Sequence, residues 1–136
     1  MRRIFLDTNF IIDLLVRDEY KEEASNFLAE GARRGFKFHI SFLTVANFAY
    51  VARKLPMNEL HHLIDMISSL FVIVPNNAEQ IKQAIALGAN DFEDALQYQS
   101  ALDSQCECII TRNEKDFRFS KIPVHSAENY TKKYFA

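Results

Sequence analysis

Short apolar runs alternate along this chain with longer stretches of helical periodicity. Ile4-Phe5-Leu6 passes without interruption into Asp7-Thr8-Asn9. A short, wholly apolar run closed by polar residues predicts a strand buried on both faces. Phe10, Ile11, Ile12, Leu14, Leu15 and Val16 then predict a helix over Thr8–Val16. A second helix is predicted over Glu19–Arg34, with Ala24, Phe27, Leu28 and Ala32 on its apolar stripe and Gly35 as its stop. Lys37–Ile40 reads as the second strand, and Ser41 as the N-cap of a helix over Phe42–Lys54 that is apolar over most of its surface. Met57–Leu70 is a further helix behind Pro56, and Phe71–Val74 a third strand closed by Pro75. Helices follow at Asn77–Leu87, stopped by Gly88, and at Asp91–Asp103. Cys108–Ile110 is the fourth strand, Pro123–His125 a short edge strand and Ser126–Tyr134 a terminal helix.

Strands that alternate with one or two helices imply an α/β fold with a central parallel sheet of four or five strands and helices on both faces. No internal repeat or linker interrupts the pattern, so residues 1–136 read as one domain. A hydrophobic content of 49% excludes a disordered chain, and a net charge of −2 excludes a broadly basic nucleic-acid coat while leaving room for a local basic rim. Cys106 and Cys108 are one residue apart, expected on one face of a strand, and complete no zinc set. With no secretory pattern and no run able to span a membrane, the expected compartment is the cytoplasm.

The acids fall in a suggestive order. Asp7 ends the first strand, Asn113 and Asp116 follow the fourth, and Asp94 lies in the first turn of the helix that feeds the fourth. If the first and fourth strands are neighbours, these positions converge on one edge of the sheet, where open α/β folds bind ligands. Asn47, on the helix after the second strand, can point into the same crevice. Oxygen-only ligands of this kind suit Mg²⁺ or Mn²⁺, which promote phosphodiester cleavage. Each residue also has a plainer role: Asp7 as a helix cap, Asp91-x-x-Asp94 as a capping pair, Asn113 and Asp116 as turn formers, Asn47 as a satisfied buried amide. No nucleophile elbow, phosphate-binding glycine loop or dinucleotide fingerprint is present.

Four stretches in order carry a resemblance: Ile4-Phe5-Leu6-Asp7-Thr8-Asn9, Ile40-Ser41-x-x-Thr44, Asp91-Phe92-Glu93-Asp94-Ala95-Leu96, and Ile109-Ile110-Thr111-Arg112-Asn113-x-x-Asp116-Phe117. Together they resemble a PIN domain over nearly the whole chain. The resemblance implies a three-layer α/β/α sandwich and a Mg²⁺- or Mn²⁺-dependent ribonuclease, often the VapC-like toxin of a toxin–antitoxin pair. It also implies a homodimer and a small antitoxin protein as partner.

Carried over by position, Asp7 is the first metal-binding acid and Asp94 the third. The second acid, usually a Glu, falls on Asn47, and the fourth falls on Asn113. An amide still offers a carbonyl oxygen but carries no charge and serves as no general base. The implied mechanism has Asp7 and Asp94 holding one Mg²⁺, with Asn47, Asn113 and Asp116 completing the shell or orienting waters and Glu93 as a helper. Water activated there attacks single-stranded RNA. Thr8 and Thr111 are candidates for bonding a phosphate or a ligand water. Arg112, Lys115 and Arg118, or Arg53 and Lys54, are candidates for the RNA backbone. The competing expectation, with two acids replaced by amides, is an RNA- or protein-binding module that does not cut.

Overall fold

A computed structural model describes residues 2–135; Met1 and Ala136, the ends of the expected domain, lie outside the described residues. Five strands form one parallel sheet: β1 (Arg3–Leu6), β2 (Lys37–Ser41), β3 (Val72–Val74), β4 (Cys108–Ile110) and β5 (Val124–His125), in the order β3-β2-β1-β4-β5. The expected adjacency of first and fourth strands holds, with Ile4 opposite Cys108 and Leu6 opposite Ile110.

The period-2 alternation of strand side chains divides the core in two. Ile4 and Leu6 of β1 and Cys108 and Ile110 of β4 face one layer of helices, α1 (Thr8–Leu15), α2 (Asp18–Arg33), α3 (Phe42–Val51), α4 (Met57–Leu70) and α7 (Ala127–Tyr134). Phe5 and Ile109 face the other way, onto α6 (Phe92–Asp103), with Leu87 of α5 (Ala78–Leu87) at the margin. This is the expected three-layer α/β/α sandwich. Each fully buried Phe or Ile on these faces contributes about 1.5–3 kcal/mol relative to exposure. Cys106 and Cys108 do not share a face: Cys106 precedes the strand and packs with Phe5, while Cys108 packs on the opposite layer.

Parallel strands place the following helix N-termini at one edge of the sheet. Thr8 opens α1 immediately beyond Leu6, and Ser41, the last residue of β2, caps α3 by accepting from the Thr44 N–H at 3.1 Å. Gly88 ends α5 in the left-handed conformation (φ 69°), which glycine adopts without the steric cost of a Cβ. The chain then turns into Asp91, which caps α6 by accepting from the Asp94 N–H at 3.1 Å. A 3-10 helix, Glu114–Phe117, follows β4 and anchors Phe117 in the core. Among the described residues no helix is long and apolar enough to cross a membrane.

Candidate active site

Asp7 is buried at the end of β1, its N–H bonded to the Ile110 carbonyl at 3.0 Å. It stands at the N-cap position of α1, yet its side chain makes no capping bond. Instead Oδ2 accepts from Thr111 Oγ1 at 2.9 Å, and that hydroxyl oxygen accepts from the Asn113 N–H at 3.1 Å. Thr111 therefore couples the ends of β1 and β4, and its hydroxyl is engaged within the protein. Burial pushes the Asp7 carboxyl up to about 6, against the Thr111 bond; the charge of Glu93 pushes the same way.

Asp94 is half-buried in the first turn of α6. The capping work there is done by Asp91, which leaves the Asp94 carboxyl facing other acids. Burial raises it first, then the charges of Asp7, Asp91, Asp116 and Glu93, to about 7. Asp91, Asp94 and Asp116 line a cleft of about 390 Å³ together with Lys115 and Arg118. Four carboxylates thus lie within electrostatic reach of Asp94, and among the described residues none of the five forms an ion pair.

Beneath them a buried polar network ties three helices. Thr8 Oγ1 and Thr44 Oγ1 are 2.8 Å apart, and Gln97 Nε2 donates to both, at 2.6 and 2.9 Å. Ser41 Oγ lies 3.2 Å from Thr44 Oγ1. The Thr8 hydroxyl is accordingly turned inward, joining α1 to α3 and α6. Above this layer Asn47 Nδ2 donates to Glu93 Oε1 at 2.7 Å.

Arg112 is turned away from the acids. Its Nε and Nη2 reach Asp13 at 2.5 and 3.1 Å, and its guanidinium lies 4.1 Å from the centre of the Tyr20 ring. Asp13 is almost wholly buried on α1 and also meets Arg17 at 3.4 Å. Lys115 and Arg118 are exposed and form no ion pair among the described residues.

Sequence reasoning missed Asp13 and Gln97. A lone acid within Phe10-Ile11-Ile12-Asp13-Leu14-Leu15, and a glutamine one turn beyond Asp94, were the available signals.

The donor set fits a hard divalent cation: carboxylate oxygens, none of them held in an ion pair among the described residues. Among the described residues no three His, Cys, Asp or Glu side chains stand close enough to enclose an ion directly. Asp7 and Asp94 would hold it, with water filling the remaining positions, as Mg²⁺ ordinarily allows.

The sequence profile of the PIN domain matches residues 3–115. The chain belongs to the PIN domain family. Solved PIN-like structures superpose on this PIN domain closely. VapBC2 from Rickettsia felis, solved bound to a DNA fragment from its promoter, gives a TM-score of 0.73 at 17% identity, over 91% of this chain and 98% of that one. A toxin–antitoxin complex from Klebsiella pneumoniae gives 0.67 at 26% identity, over 91% and 97%. VapC20 of Mycobacterium tuberculosis, a toxin that cleaves the sarcin–ricin loop, gives 0.67 at 14% identity, over 88% and 98%. No curated protein matches this PIN domain in sequence.

Proposed function

We propose that this PIN domain is a Mg²⁺- or Mn²⁺-dependent endoribonuclease acting on single-stranded RNA, the toxin of a toxin–antitoxin pair. The observation that carries the reading is the set of acids around Asp94 at the C-terminal edge of the sheet, none of them in an ion pair among the described residues. Acids gathered without a counter-charge weaken a fold unless a cation joins them. When bound, the cation supplies Lewis acidity and a nucleophile at neutral pH.

The chain's own residues do the rest. Asp7 and Asp94 bind the cation. Thr111 fixes the Asp7 carboxylate, and Asp116 and the Asn113 amide complete the polar wall. Lys115 and Arg118, on the same cleft, contact the RNA backbone. Arg112 and Thr8, engaged inside the protein, position β4 and α1 and take no part in holding RNA.

The partners follow from uncovered apolar surface. Phe42 on α3 and Ile81 and Ile85 on α5 are exposed, which suits a second copy of the chain. Tyr50 near the end of α3, Leu55 in the connection and Met57 at the start of α4 are exposed as well and suit a small antitoxin. The setting for such a protein is the cytoplasm. The second reading, a binding module that does not cut, is favoured by the amides at positions 47 and 113.

Incubating RNA with the purified chain separates the two. Cleavage in Mn²⁺ or Mg²⁺, lost with EDTA and in Asp7→Asn, supports the nuclease. Metal-independent RNA binding without cleavage would replace it with the module.

A further inference from the structure

The amide at position 47 has a specific partner on the facing helix. Asn47 lies on α3, one turn beyond Thr44, half-buried, and its Nδ2 donates to Glu93 Oε1 at 2.7 Å. Glu93 neighbours Asp94 in the first turn of α6. A carboxylate there can turn to solvent or toward its own helix terminus. This one instead crosses to another element, and among the described residues no Lys or Arg holds it. An amide suits the opposite end of that bond, because it donates where a second carboxylate would repel.

We infer that Glu93 is a further acid of the metal site, supplied from α6 in place of the second acid on α3, and that Asn47 is the positioning residue that holds it there. The inference rests on the metal-site reading above and deepens it. The resemblance places an acid at position 47; here the charge sits across the helix–helix contact, on the residue next to Asp94. With no three acids close enough for direct ligation, Glu93 acts through water. It accepts hydrogen bonds from the waters that a hard cation retains, and the Asn47 bond fixes its orientation.

The test is Mn²⁺ binding by titration calorimetry on the full chain, with metal-free melting curves as a check of folding. Wild type is compared with Asp7→Asn, Glu93→Gln, Asn47→Ala and the Asn47→Ala/Glu93→Gln double variant. Glu93→Gln keeps an oxygen that accepts from Asn47 and removes only the charge. It is expected to weaken Mn²⁺ binding about tenfold, and Asn47→Ala by a similar factor. The double variant is expected to bind no more weakly than Glu93→Gln alone, since Asn47 acts through Glu93. Unchanged affinity in a folded Glu93→Gln would overturn the inference and leave the contact as a strap between α3 and α6. Losses that multiply in the double variant would overturn the positioning role, since Asn47 would then meet the metal on its own. A wild type that binds no Mn²⁺, or Asp7→Asn binding as wild type does, would overturn the underlying metal site and the inference with it.

Discussion

A carboxyl that titrates near neutrality makes the metal-free protein sensitive to pH, and Asp7 and Asp94 both do. Their folded-state values, about 6 and about 7, lie above the roughly 3.9 of an unfolded Asp. Stability from this source is fully present below about pH 4 and is lost as pH rises through 6 to 7. The depressed carboxylates Glu30 and Glu128, held down by Arg33 and Lys132, lose their contribution only in more acid solution. The melting temperature in EDTA is therefore expected to rise as pH falls from 7.5 to 5. Asp94→Asn should flatten that dependence and stabilise the metal-free protein at pH 7.5 by roughly 1 kcal/mol, discounted because Asp94 is half in solvent. The same variant should lose the Mn²⁺-induced gain in melting temperature. A drop in metal-free stability would assign Asp94 to the helix dipole. Sequence alone could not separate these roles, because Asp91-x-x-Asp94 has the spacing of a cap whichever carboxyl does the capping. Only the Asp91-to-Asp94 bond divides the labour.

Between elements, one glutamine joins α1, α3 and α6. Gln97 bridges Thr8 and Thr44 where water does not reach. Gln97→Leu keeps most of the volume and removes both bonds, which is expected to cost about 1–3 kcal/mol in chemical denaturation. Mn²⁺ affinity should fall with it, because Asp7 adjoins Thr8 and Asp94 lies one turn from Gln97. A neutral substitution would show that apolar packing alone aligns the helices. Strands and most helices were legible from periodicity, since β1 and β4 are buried on both faces and leave uninterrupted apolar runs. The end of α3 was not. The pattern runs to Lys54, but the helix stops at Val51, where the Arg53 guanidinium bonds the Tyr50 carbonyl at 2.9 Å and stacks on the Tyr50 ring. The 3-10 helix at Glu114–Phe117 was missed too, since its single buried residue sets no period. Thr44 lay in a recognisable motif, whereas Gln97 could be found only once α6 was set against two other helices.

For the whole molecule, a net charge of −2 limits how RNA is held. Attraction must be local, and Lys115 and Arg118 are the cations on the cleft with Asp94. With two phosphate contacts on a single strand, log affinity against log salt should have a slope of roughly −1.4, measured in Ca²⁺. Lys115→Ala or Arg118→Ala should each reduce it by about 0.7. Arg112→Ala should leave the slope unchanged and instead cost about 3 kcal/mol of stability, because it strips the main partner from the buried Asp13. A reduced slope in Arg112→Ala would move the RNA path to the other side of Thr111. The strand order also governs when the site can exist. β1 sits at the centre of the sheet, and its neighbour β4 follows it along the chain only after two other strands and six helices. Until then the end of β1 has no Thr111 to hold Asp7. Such long-range parallel pairing is slow to form, and domains fold progressively during synthesis. A nascent chain halted before β4 has an open sheet edge and lacks Thr111 and Asp116, so any cutting activity waits for β4 to join the sheet.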